Sequence, residues 1–107
     1  MVKELTPREF VERRAAGAQM TLLDVREHWE VQLAPAPTGF VHIPMGEIGS
    51  RLSELQPADD IVVLCRSGGR SGQVAQFLDQ QQFKSVANLS GGILEWGRQL
   101  DPNIPQY

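Results

Sequence analysis

Along the chain, runs of consecutive apolar residues alternate with stretches in which apolar residues return every three or four positions, and this rhythm predicts strands and helices in turn. Val2 to Leu5 reads as a short strand. Thr6-Pro7-Arg8-Glu9 then has the form of a capping box with Pro at the first helical position, so a helix is expected from Pro7 to about Ala16, stopped at Gly17. Thr21 to Val25 is apolar and empties into the polar cluster Arg26-Glu27-His28-Trp29-Glu30, as a buried strand does at a functional or helical edge. Pro35, Pro37 and Gly39 exclude regular structure over Ala34 to Gly39, leaving a loop before a short strand around Phe40 to Ile43.

Ile48, Leu52 and Leu55 recur at helical spacing and predict a helix over about Glu47 to Leu55. Ile61-Val62-Val63-Leu64 shows no polar alternation, the pattern of a central parallel strand covered on both faces. Val74, Phe77 and Leu78 predict a helix from Ser71 to about Gln81, Ser85 to Leu89 another strand, and Gly91-Gly92 a turn into a last helix from Ile93 to Leu100. The tail from Asp101, with Pro102 and Pro105, is expected to be irregular and on the surface. Strands alternating with helices specify an α/β domain with a mainly parallel sheet, in which ligands gather beyond the carboxyl ends of the strands. Cys65 stands at such an end.

Composition narrows the classes. The 107 residues suit a single domain, 1–107, and the balance of 41% hydrophobic and 21% charged residues is that of ordinary globular proteins. A net charge of −3 argues against a general nucleic-acid binder, so any anion site must be local. Met1 to Phe10 lacks the apolar core of a secretion signal, and Ile61 to Cys65, the longest purely apolar run, is far too short to span a bilayer. A cytoplasmic location is expected, with no membrane partner. The single cysteine suits a reducing compartment.

The chemistry concentrates after Leu64. Cys65-Arg66-Ser67-Gly68-Gly69-Arg70-Ser71-Gly72 joins the central strand to a helix start. Adjacent glycines let the backbone turn its N–H groups inward, the helix N-terminus adds positive potential, and Arg66 and Arg70 bring charge that does not titrate away. Such a field favours a thiolate, making Cys65 a candidate nucleophile rather than a small buried hydrophobe. The loop fits neither the G-x-G-x-x-G nor the G-x-x-x-x-G-K-[ST] nucleotide pattern. His28 and His42 have no recognisable metal-ligand spacing with Cys65, and Trp29 and Trp96 read as packing residues.

Four segments in order, Leu23-Asp24-Val25-Arg26-Glu27, His42-Ile43-Pro44, Cys65-Arg66-Ser67-Gly68-Gly69-Arg70-Ser71 and Asn88-Leu89-Ser90-Gly91-Gly92-Ile93-Leu94-Glu95-Trp96, resemble the motifs of single-domain rhodaneses. The resemblance implies a rhodanese-like fold: a five-stranded, mainly parallel sheet flanked by helices on both faces. It implies a sulfurtransferase moving sulfane sulfur from thiosulfate or a persulfide, through a Cys65 persulfide, to cyanide, a thiol or a sulfur-accepting protein. No metal or organic cofactor is implied. Cys65 matches the family nucleophile; Arg66, Ser67, Gly68, Gly69 and Arg70 match the loop that cradles the outer sulfur, with Ser71 following it. Asp24 and Arg66 match a pair that fixes the loop, and Arg26 is a candidate for orienting an anionic donor or else a surface residue.

Two departures bear on substrate. Residues 30–39 lack the usual Gly-His-Ile-x-Gly-Ala pattern, so the loop bordering the site is expected to be shaped differently. Ser67 stands where thiosulfate-preferring relatives often carry Lys, which predicts a poor fit for thiosulfate. Rival readings are a non-catalytic binding or sulfur-delivery module, and a cysteine-dependent phosphatase or arsenate reductase. The latter enzymes place Arg one position further from the cysteine than Arg70 stands, in a larger loop, and carry a His where this chain has Leu64. With no second cysteine, a persulfide has to be resolved by an external acceptor.

Overall fold

A computed structural model describes all residues 1–107. Five strands, β1 (Lys3–Leu5), β2 (Thr21–Asp24), β3 (Val41–His42), β4 (Asp60–Leu64) and β5 (Ser85–Leu89), form one sheet in the order β1-β5-β4-β2-β3, and every neighbouring pair is parallel. Three helices, α1 (Pro7–Ala15), α2 (His28–Leu33) and α3 (Gly69–Gln80), connect strands, and α4 (Gly92–Gln99) follows β5.

The unbroken apolar runs are explained by the two faces of this sheet. Along β2 and β4, successive side chains alternate between two cores: Leu23, Ile61 and Val63 pack with Val74, Ala75 and Leu78 of α3, whereas Leu22, Val62 and Leu64 pack with Phe10 of α1 and Ile93 and Trp96 of α4. Both layers are buried, so no polar alternation is possible. Phe10 and Trp96 meet edge to face at 5.6 Å and join α1 to α4. Thr6 caps α1 as expected, its Oγ accepting the Glu9 N–H while Glu9 Oε1 accepts the Thr6 N–H.

Several expectations are corrected. Residues 47–55 form no α-helix; two 3-10 turns, Met45–Glu47 and Leu52–Glu54, bury Ile48 and Leu55, because such turns satisfy the same three-to-four spacing while Gly46, Gly49 and Ser50 weaken a longer helix. The polar cluster after β2 becomes α2, whose Glu30 Oε1 accepts the Glu27 N–H at the helix start. Trp96 is buried as expected; Trp29, 60% exposed on α2, is no core residue but packs edge to face on Tyr107 at 5.9 Å. The third helix starts at Gly69, two residues early, so Arg70 and Ser71 occupy its first turn.

Candidate functional site

Cys65 follows β4 directly and is buried. What surrounds it follows from where the neighbouring carbonyls are tied. The Cys65 carbonyl accepts the Ile93 N–H at 2.9 Å and the Arg66 carbonyl accepts the Leu94 N–H at 3.2 Å, both from the first turn of α4. The Gly68 carbonyl accepts from Gly72 N–H and from Asn88 Nδ2, each at 3.1 Å. In a trans peptide the N–H points opposite the carbonyl. Anchoring these three carbonyls therefore turns the amides of Arg66, Ser67 and Gly69 to the other side of the loop. The amides of Ser67, Gly69, Arg70 and Ser71 donate to no other protein group, and the Gly68 N–H donates to Cys65 Sγ at 3.1 Å. This arrangement of free and sulfur-bound donors can hold an anion.

Glycine makes the close approach possible. Gly68 caps α3 at φ 104°, a conformation other residues rarely adopt. At Gly92, φ 63°, a Cβ would collide with the Arg66 carbonyl and come within 2.6 Å of the Cys65 carbonyl oxygen. The Gly91-Gly92 segment, read from the sequence as a turn, is thus the seat on which the loop rests.

Behind the sulfur lies a chain of hydrogen bonds that ends on a carboxylate. Cys65 Sγ and Ser71 Oγ are 3.2 Å apart, Ser71 Oγ donates to Asn88 Oδ1 at 2.5 Å, and Asn88 Nδ2 also reaches both Glu4 carboxylate oxygens at 3.2 and 3.3 Å. Asn88, buried within β5, opens the last of the four resembling segments but was given no role from the sequence; a polar residue inside an otherwise apolar strand was the available signal.

The charged groups pair differently from expectation. Asp24 does not meet Arg66. Its carboxylate is held by Arg26, whose Nε donates to Oδ1 at 3.0 Å and whose NH2 donates to Oδ2 at 2.7 Å. Residues two apart past a strand end share a side, and both side chains are fully buried. Arg26 is therefore neither a surface residue nor free to orient a donor. Its remaining donors go to the Ala34 carbonyl and the Tyr107 hydroxyl. Burial opposes the Arg26 charge, but Asp24 and Tyr107 outweigh it and raise its pKa. Arg66 is exposed and donates from Nε and NH2 to the Tyr107 main-chain oxygen, its guanidinium 5.2 Å from the centre of the Tyr107 ring.

Arg70 turns to Glu30. NH1 and NH2 donate to Oε1 and Oε2 at 2.7 and 2.8 Å, and the Tyr107 hydroxyl donates to Oε2 at 2.7 Å. The Arg70 hydrogen bonds, against the opposing effect of burial, hold Glu30 down to about 2, helped by the Glu27 N–H and Tyr107; Glu30 in turn raises Arg70. Burial and the Glu30 carboxylate raise the Tyr107 hydroxyl, with Arg26 opposing. Neither Glu30 nor Tyr107 was identified from the sequence as a site residue; the tail is irregular and bound to the surface as expected, and it also buries Ile104 and returns Tyr107 to the loop. His42 Nε2 donates to the Arg26 carbonyl at 2.6 Å and packs edge to face on His28.

A family model described as a rhodanese-like domain matches residues 6–99. The chain belongs to this family. A protein named sulfurtransferase from Allochromatium vinosum is 37% identical over 98 residues, covering 92% of this chain and 91% of that protein. The chloroplastic rhodanese-like/PpiC domain-containing protein 12 of Arabidopsis thaliana is 46% identical over 90 residues, covering 80% of this chain. The crystal structure of SSP1007 from Staphylococcus saprophyticus superposes with a TM-score of 0.83 at 29% identity, covering 97% of this chain and 99% of that one. The chain spans 30% of the plant protein and 51% of a further relative from Bacillus subtilis, so the rhodanese-like fold also occurs as part of longer proteins. Among relatives matched nearly end to end, sulfur transfer is the named activity. No helix is long and apolar enough to cross a membrane.

Proposed function

We propose that residues 1–107 act as one rhodanese-like sulfurtransferase unit in which Cys65 takes sulfane sulfur from a small donor, carries it as a persulfide, and yields it to cyanide, a thiol or a sulfur-accepting protein, in the cytoplasm. The observation that carries this reading is the thiol itself: Sγ accepts the Gly68 N–H at 3.1 Å in a loop whose amides at Ser67, Gly69, Arg70 and Ser71 have no protein partner. An outer sulfur on Cys65 would meet those donors. In loading, the Cys65 thiolate attacks the outer sulfur of the donor, a new S–S bond forms, and the donor's own S–S bond breaks with its electron pair leaving on sulfite or on a thiolate. Delivery repeats the exchange on the outer sulfur, with Cys65 thiolate as leaving group.

Arg66, Ser67, Gly68, Gly69, Arg70 and Ser71 serve as the binding loop, with Asp24 and Arg26 as a buried brace beneath it. The deciding experiment is intact-protein mass spectrometry after incubation with thiosulfate and, separately, with an organic persulfide. A gain of one sulfur that cyanide removes, and that Cys65→Ser abolishes, is expected. A chain that gains no sulfur from either donor would be a binding module instead, and hydrolysis of p-nitrophenyl phosphate lost on Cys65→Ser would favour the phosphatase reading.

A further inference from the structure

Three guanidinium groups lie around the Cys65 loop, and each already has a partner inside the protein. Arg26 is on Asp24, Arg66 is on the Tyr107 main-chain oxygen, and Arg70 is on Glu30. Of these, only Arg70 belongs to the helix turn whose amides are unpartnered, so its charge contributes most directly to an anion held there. Glu30 occupies both terminal nitrogens of that guanidinium in a fork-to-fork pair.

The Glu30 carboxylate is built in. Its side chain is 4% exposed, against 34% for Arg70, and it accepts four hydrogen bonds, from Glu27 N–H, both Arg70 nitrogens and the Tyr107 hydroxyl. Arg26 donates to that same hydroxyl at 3.1 Å and so fixes the second layer. A carboxylate with every oxygen engaged stays ionised and in place while substrates come and go.

We propose that Glu30 is a specificity-determining residue which cancels the Arg70 charge at the loop and thereby selects monoanionic organic persulfides over dianionic thiosulfate as sulfur donors. This rests on the sulfur-transfer reading above and adds the donor class. Charge bookkeeping gives the reason. When the Cys65 thiolate attacks thiosulfate, the reacting group carries three negative charges, which end as a persulfide anion and a sulfite dianion. With an organic persulfide anion it carries two, which end as a Cys65 persulfide anion and a thiolate. The extra charge has to be met by fixed positive charge in a water-poor loop, and Glu30 has removed one unit of it. The serine at position 67, a neutral residue in the same loop, acts in the same direction.

The test compares kcat/KM for thiosulfate and for the persulfide of 2-mercaptoethanol, which has no other charge, with cyanide as acceptor and thiocyanate as readout. In Glu30→Gln the thiosulfate-to-persulfide ratio is expected to rise about tenfold or more. In Arg70→Gln, which leaves Glu30 without its partner, the ratio should fall by about as much, and the double variant should return near the parent. Opposite movements of the ratio are not what loss of a structural link would produce, since that would lower both donors together. Should Glu30→Gln fail to fold, as judged by circular dichroism, Arg70→Gln and the double variant still decide the matter. A ratio unmoved, or moved alike in both single variants, overturns the role of Glu30 while leaving sulfur transfer intact. Failure of both donors to load the parent Cys65 removes the sulfur-transfer reading and this proposal with it.

Discussion

The two ends of the sheet differ in how they treat polar groups. At the carboxyl end, Asp24, Arg26, Glu30, Ser71 and Asn88 are all buried, and they are the five buried polar residues of the chain. No buried side-chain nitrogen or oxygen is left without a partner. At the amino end no polar side chain is fully buried: Ser85 Oγ donates to Asp60 Oδ1 at 2.7 Å in the open, and the half-buried Arg14 donates to Thr38 Oγ1 at 2.9 Å and to the Met20 carbonyl at 2.8 Å. A broad hollow there, beside Arg14, Thr21 and Asp60, is larger than any at the carboxyl end but holds no nucleophile and no buried charge. Size alone therefore does not locate a site. Buried, mutually satisfied polar groups cost desolvation that a purely structural end has no need to incur, and they mark where geometry is being enforced.

The sharpest test of this contrast removes only the proposed nucleophile. Cys65→Ser is expected to lower sulfur transfer by at least about a thousandfold, while the free energy of unfolding in urea changes by less than about 1 kcal/mol. Next, Arg26→Met strands the Asp24 carboxylate in a buried place and should cost about 3–5 kcal/mol. Asp60→Asn at the opposite end should cost less than about 0.5 kcal/mol, being exposed; equal costs for the two would break the comparison.

A second pair uses glycine. Gly92→Ala forces a Cβ against the loop carbonyls and should destabilise by about 2–3 kcal/mol and depress transfer, because the amides of Arg66 and Ser67 move with those carbonyls. Gly17→Ala, also at positive φ but with open space around it, should cost only about 1 kcal/mol and leave transfer unchanged.

A smaller effect than those at Arg26 and Gly92 is the pH dependence of stability set by Glu30. Its folded-state value of about 2 lies below its ordinary 4.5, so its contribution is present in full above that ordinary value and is lost as pH falls from there through about 2. The loss should be about 1–2 kcal/mol in denaturant melts across that window, and Glu30→Gln should flatten it. An equal slope in the variant would assign the acid sensitivity to other carboxylates.

Much of the fold was legible. The run Ile61 to Leu64, the capping box at Thr6 and the strand Ser85 to Leu89 appear where the pattern placed them, because each signal is local and each is reinforced by burial. The failures have equally local causes. Spacing at Ile48, Leu52 and Leu55 serves a pair of 3-10 turns as well as a helix, and the charged cluster after β2, read as a functional or helical edge, gave no bounds for α2 because only its Glu30 is buried.

At the site, the sequence by itself determined the position of the candidate nucleophile Cys65 at the end of a central parallel strand and the glycines that let the backbone close around it. Those depend on residue type and order within a few positions. Only the tertiary structure decided the partners of the charges: Asp24 with Arg26 instead of Arg66, Glu30 with Arg70 across 40 residues, and Tyr107 on Glu30 across 77. Hydrophobic periodicity records which face of an element is buried, but it carries no information about which distant charge is brought beside it. An ion pair is selected by distance and burial together, and both arise only once α2, the first turn of α3 and the tail have packed around the same strand ends.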